Sequence, residues 1–491
     1  MNLNDISLFR TTCLIDGVWQ QAEDAAHFSV ADPATDVEIC TVPNMGATET
    51  ERAIAAAKKA WPAWRKKPAK ERANILRNWF NLIVENADDL AMLMTREQGK
   101  PLAEARGEAI YAASFVEWFA EEGKRLAGDV FEAPQTDKRI VVLREPIGVC
   151  VAITPWNFPA AMITRKVAPA LAAGCTMIIK PAEQTPLTAL ALCELAVRAG
   201  VPAGVINIVT CDIDRVGEVG GTLTASDTVR KISFTGSTEV GKLLMRQSAD
   251  TIKKLSFELG GNAPFIVFDD CDVDAAVEGA MQSKFRNAGQ TCVCANRIYV
   301  QSGIYQQFAE KLAARVAKLQ IGNGLIEGSE IGPLIDKPAI AKVEEHIADA
   351  LGKGASLLVG GKVVSGQEQG NFFTPSVLIN ATQSMKISNE ETFGPVAPLF
   401  KFETEEEVIA AANDTEFGLA SYCYSNNIKR VWRVMEALEY GIVGINTGIF
   451  ANEVGPFGGV KQSGLGREGS IYGIDEYTEL KYCCLGGFDQ P

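Results

Sequence analysis

Only two of the 491 residues are histidine, His27 and His346. A Ser-His-Asp triad, a papain-like Cys-His pair or a histidine-rich metal site each needs a placed imidazole. His27 lies near the N-terminus, and His346 sits in KVEEHIADAL, whose spacing is that of an amphipathic helix. Both read as structural residues, so the chemistry is expected to run without histidine. Paired cysteine knuckles are also missing. The 12 cysteines are scattered, with no C-x-x-C and close spacings only at Cys292/Cys294 and Cys483/Cys484. That pattern predicts reduced thiols and no metal site.

An excess of basic charge is absent too. The net charge of −14 argues against a nucleic-acid partner, which usually meets a basic face. No stretch offers the roughly 20 uninterrupted apolar residues of a membrane span; residues 149–180, the most apolar, are broken by prolines and by Arg165 and Lys166. The start MNLNDISLFR lacks the basic and apolar regions of a secretory signal. A cytoplasmic protein with neither nucleic acid nor membrane as partner is expected.

What is present is ordinary globular composition, 47% hydrophobic and 22% charged, in a chain long enough for two or three structural units. Residues 48–130 carry apolar residues at three- and four-residue spacing and are predicted to be largely helical. From about residue 139, strand-like runs (VCVAIT, TMIIK, GVINIVT, VRKISFTG) alternate with helical ones. That alternation predicts an α/β fold with a doubly wound parallel sheet. A second alternating series starts near residue 263, so two tandem units are expected to join at Gly260 and Gly261. RIVVLREPIG and TELKYCCLGGF read as strands of a small added β element.

Several segments can carry chemistry. KISFTGSTEVG places a glycine-bearing turn between a strand and a helix, where free N–H groups favour an anion. Its glycines, Gly236 and Gly241, follow neither the usual dinucleotide spacing nor a Walker loop. By spacing alone, Glu258, about 20 residues on, would reach a ribose. NAGQTCVCANR sets Cys292 in a polar turn suited to exposing a thiolate. FELGGNAP puts Glu258 at a strand end before a Gly-Gly turn, and ITPWNFP and EETFGPV have the look of rigid loops beside a pocket.

Taken in order, PWNFP, KPAEQTP, FTGSTEVG, FELGGNAP, GQTCVCANR, EETFGPV and PFGGVKQSG resemble the aldehyde dehydrogenase superfamily along essentially the whole chain. ITPWNFPAAMITRK and SKFRNAGQTCVCANR are most similar to its succinate-semialdehyde dehydrogenase branch. The resemblance implies an aldehyde dehydrogenase-like fold. Residues 1–130 and 150–259 would form the NAD(P)-binding domain and 260–445 the catalytic domain. Residues 131–149 and 475–491 would supply oligomerisation strands, and 446–474 a return segment to substrate and cofactor. A homo-tetramer or homo-dimer is implied.

The same resemblance assigns roles. Cys292 would attack the aldehyde, Asn157 and the Cys292 N–H would hold the oxyanion, and Glu258 would activate the hydrolytic water. Trp156, Lys180, Glu183, Gly236, Ser237, Leu259, Glu391 and Phe393 would bind the cofactor. Glu183 favours NAD, since a carboxylate accepts from a 2′-hydroxyl and repels a 2′-phosphate; NADP is the alternative because Lys180 attracts phosphate. Arg165 and Arg286 would grip a carboxylate at the far end of a small semialdehyde.

One departure stands out: relatives commonly place a serine in the loop before PFGG, where this chain has Phe450 and Ala451. Glutaric semialdehyde is therefore an alternative to succinic semialdehyde. The resemblance also raises a reversible Cys292–Cys294 disulfide as a redox switch. A CoA-acylating dehydrogenase and a non-catalytic binding protein are the rival readings.

Overall fold

The computed structural model describes residues 2–364 and 370–488. Its first sheet has six strands in the order Gly464–Leu465, Lys254–Glu258, Val229–Thr235, Val149–Ile153, Thr176–Lys180, Ile206–Ile208. The last five are mutually parallel. Helices bury both faces of such a sheet, which is why VCVAI and TMIIK are continuous apolar runs rather than alternating ones. Gly464–Leu465 comes from far along the chain and pairs antiparallel with Phe257 and Glu258.

The second sheet has seven strands: Ser356–Val359, Ser376–Ala381, Val396–Phe402, Ala295–Gln301, Ala263–Val267, Ala420–Tyr424 and Ile442–Ile445. All pairings are parallel except that of Ser356–Val359. Two apolar cores correspond to the two sheets. Apart from Ile474 and Tyr477, the first runs from Leu8 to Leu259, and the second begins at Ala263. The Gly-Gly pair thus lies between them.

The N-terminal helices are Ala47–Lys66, Ala69–Glu85, Ala87–Gln98 and Leu102–Glu122. Before them lie two hairpins that the sequence reading did not include, Cys13–Ile15 with Val18–Gln20 and His27–Asp32 with Val37–Pro43. Strands of three residues are too short to show periodicity. The helix Ala161–Ala173 is buried along its whole length and carries two cations, Arg165 and Lys166, into the interior. Buried cations need partners, and theirs is described below.

A third sheet joins Asp129–Glu132, Arg139–Pro146 and Thr478–Leu485 in antiparallel register. It leaves Val130, Phe131, Leu143, Leu480 and Tyr482 exposed. Among the described residues, no helix is long and apolar enough to cross a membrane, and no group of three or more His, Cys, Asp or Glu side chains has the arrangement of a metal site.

Candidate active site

Cys292 follows a strained turn. After the helix Val273–Phe285, Asn287 (φ 52°), Ala288 (φ 55°) and Gly289 (φ 76°) lie successively in the left-handed region. That conformation costs a non-glycine residue about 1–2 kcal/mol and persists where its surroundings enforce it. Asn287 Nδ2 donates to the carbonyls of Asn157 (3.1 Å) and Gln290 (3.2 Å), and its N–H donates to Glu104 (2.9 Å). Gln290 donates to the Asn287 and Pro333 carbonyls and accepts from the Ile335 N–H at 2.9 Å. A Cβ at Gly289 would lie 2.2 Å from the Gly394 carbonyl oxygen, and one at Gly261 would lie 2.4 Å from that of Cys292. The NAGQ and GG motifs therefore let two loops close on the cysteine.

Cys292 and Cys294 are free thiols. Cys294 is buried, accepts from Thr291 Oγ1 at 2.9 Å and donates to the Lys284 carbonyl at 3.5 Å. A bond to Cys292 would require it to leave those partners. Burial, reinforced by the carboxylates of Glu391 and Glu258, pushes the Cys292 thiol up to about 12, with Arg165 opposing. The thiol is therefore neutral at rest.

Cys292 lies on the wall of a cavity of about 370 Å³ that also contains Trp156, Asn157, Gly236, Ser237, Leu259, Glu391 and Phe393. Trp156 and Phe393 meet edge to face, centroids 5.5 Å apart. Ser237 caps the helix Thr238–Ser248, accepting from the Val240 N–H at 3.3 Å. The glycine spacing now has a cause. A Cβ at Gly236 would lie 2.4 Å from the Phe234 ring, and one at Gly241 would lie 2.6 Å from Leu259 Cδ2. The helix can thus press against Leu259 and still present its free N–H groups to the cavity. Glu391 accepts from the Gly261 N–H at 3.1 Å. Burial pushes its carboxyl up to about 7, against the pull of that N–H and of Lys342 and Lys284.

This cleft lies at the C-terminal ends of parallel strands, beside a helix N-terminus, the setting in which dinucleotides bind. Lys180 ends the strand Thr176–Lys180 and pairs with Glu183 at 3.6 Å. Glu183 lines a neighbouring cavity of about 530 Å³ with Gln184, Asp212 and Ile213.

The helix Lys337–Gly352 supplies a wall that the sequence reading missed, through Pro338, Ala339 and Lys342. Its start is signalled by Asp336 followed by Lys-Pro, an N-cap with proline in the first turn. From the same helix, buried His346 spans Thr392 Oγ1 (3.1 Å) and Glu390 Oε2 (3.2 Å), one on each side of Glu391.

Asn157 Nδ2 donates to the Gln290 carbonyl at 3.0 Å, which brings the amide to the loop of Cys292. Glu258 is buried at the end of the strand Lys254–Glu258, and its Oε2 has no hydrogen-bond partner. Gly458 makes room for it, since a Cβ there would sit 3.0 Å from Glu258 Oε1. Nearby, Glu468 pairs with Arg165 (2.8 Å) and with Lys166. Burial and the Glu468 charge raise the Glu258 pKa well above the usual carboxylate range, against Arg165, Lys166 and Arg467. Glu468 is a further site residue that no motif announces.

The two arginines are placed differently. Arg286 is half-buried, stacks on Phe158 and lines a third cavity of about 310 Å³ with Tyr111, Phe158, Glu104, Glu108 and Ala451. Arg165 is fully buried over the Phe457 ring, 4.1 Å from its centroid. It is already paired with Glu468, an engagement absent from the sequence reading, yet its Nη2 has no hydrogen-bond partner.

The aldehyde dehydrogenase family model matches residues 19–483. The chain belongs to the aldehyde dehydrogenase family. It is 65% identical to the succinate-semialdehyde dehydrogenase [NADP(+)] GabD of Escherichia coli, covering 99% of this chain and 100% of that one. Identity to a glutarate-semialdehyde dehydrogenase of Pseudomonas putida is 64%, again over 99% and 100%. The crystal structure of succinate-semialdehyde dehydrogenase from Burkholderia pseudomallei superposes with a TM-score of 0.97 at 62% identity, over 99% of this chain and 100% of that one. The α/β architecture with two large parallel-rich sheets and a small β element is thus that of an aldehyde dehydrogenase, an NAD(P)-dependent oxidoreductase.

Proposed function

We propose that this aldehyde dehydrogenase oxidises succinic semialdehyde to succinate, with NAD as the preferred acceptor. The observation that carries the substrate assignment is the pair of arginines with donors to spare, Arg286 on the cavity wall and Arg165 with Nη2 unpartnered. A guanidinium facing an anion forms short, charge-assisted bonds, so the pair fits an aldehyde with an acid at its far end. The relatives named as succinate- and glutarate-semialdehyde dehydrogenases support the acid-aldehyde class, while the name of the Escherichia coli relative gives NADP(+) as its acceptor.

Trp156, Lys180, Glu183, Gly236, Ser237, Leu259, Glu391 and Phe393 hold the dinucleotide in this reading. Glu183 favours NAD over NADP by repelling a 2′-phosphate. When bound, the dinucleotide supplies the acceptor for a hydride. Cys292 loses its proton to the Glu258 carboxylate, and its sulfur bonds to the aldehyde carbon. The new oxyanion is held by Asn157 Nδ2 and the Cys292 N–H. Departure of hydride from that carbon leaves a thioester. Glu258, having released its first proton to solvent, takes one from water as the water attacks the thioester. The carboxylic acid leaves, and the expelled Cys292 thiolate takes the proton back from Glu258, restoring both groups. Raised pKa values on both groups suit this scheme, since a neutral thiol needs a base and a buried carboxylate is a stronger one.

Glutaric semialdehyde is the second reading, favoured by Ala451, whose methyl leaves room and offers no donor on the cavity shared with Arg286. The domain limits 1–130 with 150–259, and 260–445, are proposed with the sheet of Asp129–Glu132, Arg139–Pro146 and Thr478–Leu485 as the assembly element of a homo-oligomer. Its exposed apolar side chains support that role.

The test is NAD(P)H formation from succinic semialdehyde, glutaric semialdehyde and butanal, with each cofactor, with and without CoA. At least tenfold higher kcat/KM for an acid aldehyde than for butanal, without CoA, is expected. A preference for butanal, or strict CoA dependence, contradicts the reading.

A further inference from the structure

Tyr111 lies in the helix Leu102–Glu122, one turn before Phe115, against which its ring packs edge to face with centroids 4.9 Å apart. Its hydroxyl is buried and has no hydrogen-bond partner. Buried hydroxyls are rarely left unmatched, because burial strips their water without compensation. The residue lines the cavity of about 310 Å³ that holds Arg286, and the charges of Arg286, Arg165 and Cys292 all act on its phenol.

The other walls account for themselves. Lys100 is bonded to Glu108 and to the Asn157 carbonyl, and Glu108 also accepts from the N–H groups of Ala160 and Ala161. Glu104 accepts from the Asn287 N–H. Phe158 and Ala451 have no polar side-chain atom to offer. Tyr111 and Arg286 therefore remain as donors facing the same space, one neutral and one cationic. Burial raises the phenol pKa further, so it stays a donor at neutral pH. A carboxylate has two oxygens and can take a donor on each, here the guanidinium and the phenol.

We propose that Tyr111 is a substrate-binding residue whose hydroxyl donates to the distal acid group of the semialdehyde alongside the Arg286 guanidinium. This rests on the proposed preference for acid aldehydes. It adds a specificity element: a neutral aldehyde of equal length gains nothing from the hydroxyl, while an acid aldehyde does.

Tyr111→Phe keeps the ring and its packing on Phe115 and removes only the oxygen. KM should rise at least about tenfold for succinic semialdehyde, in line with loss of a hydrogen bond to a charged group. KM for butanal and for the dinucleotide should stay within about twofold. Inhibition by succinate should weaken in parallel. Wild-type preference for acid aldehydes that survives unchanged in Tyr111→Phe overturns this inference and leaves the proposed function standing. An equal loss toward butanal and succinic semialdehyde overturns it as well, since that marks a packing effect. A wild-type protein with no preference for acid aldehydes overturns both readings.

Discussion

Arg165 and Glu468 are paired at 2.8 Å in the interior, and the same carboxylate holds Lys166. Burial opposes the ionisation of Glu468, but Lys166 and Arg165 outweigh it and hold the pKa below the usual value. Glu258, whose pKa is raised first by burial, also feels the resulting negative charge. Its own proton is therefore held more tightly, and the activity that needs its carboxylate should appear only above the ordinary carboxylate range.

Glu468→Gln removes the charge that raises the Glu258 pKa and leaves two cations that lower it. The acidic limb of the pH dependence of kcat should move to lower pH. The same change unpairs buried cations, which typically costs about 3–5 kcal/mol, so the thermal transition should also fall. A pH–rate profile and a melting curve check the two effects separately. An unmoved limb would break the link between Glu468 and Glu258.

Asn157→Ala removes the side-chain donor proposed for the oxyanion. A loss of about 10²–10³ in kcat is expected, the usual cost of deleting one such donor. Dinucleotide affinity, read by quenching of tryptophan fluorescence, should change little.

With Glu391 at the nicotinamide ribose, as proposed, dinucleotide binding should depend on pH. Its carboxyl is pushed up to about 7, so it loses its charge as pH falls through that region, and with it strength as an acceptor for ribose hydroxyls. KM for NAD should rise below about pH 7 in the wild type. In Glu391→Gln it should be higher throughout and nearly flat with pH. A wild-type KM that is constant from pH 6 to 8 on the same axis, roughly one pKa width either side, would remove Glu391 from the ribose.

Replacing the acid beside Lys180 should change cofactor choice. Glu183→Ser removes the charge proposed to repel a 2′-phosphate and frees Lys180 from its 3.6 Å ion pair. The ratio of kcat/KM for NADP over NAD should rise by at least about tenfold, the size of one lost unfavourable charge contact in a partly buried setting. If NADP is already the better acceptor in the wild type, the role given to Glu183 is wrong.

Much of this architecture was legible because parallel strands buried on both faces leave unbroken apolar runs, as VCVAI and TMIIK do. The three-residue strands Cys13–Ile15 and Val18–Gln20 leave no such mark. Among the proposed site residues, Cys292 and Glu258 stand out through their motifs taken together, not through cysteine or glutamate as such. Glu468 and Tyr111 were not visible. Lys166 meets Glu468 across 302 positions of sequence, and Tyr111 sits mid-helix among apolar neighbours, where an aromatic residue reads as core. Their significance comes from an ion pair and an unmatched hydroxyl, which only the folded chain displays. Arg165 was legible as a cation in an apolar segment, but its pairing with Glu468 was not.

The central claim is a thioester on Cys292. The most direct measurement is peptide mass mapping of Glu258→Gln protein mixed with succinic semialdehyde and NAD at alkaline pH, where hydroxide deprotonates the thiol, then quenched in acid. The account predicts a four-carbon acyl group on Cys292, formed with an equivalent burst of NADH. NADH released with no acyl group on Cys292, or with the group on another residue, would contradict it.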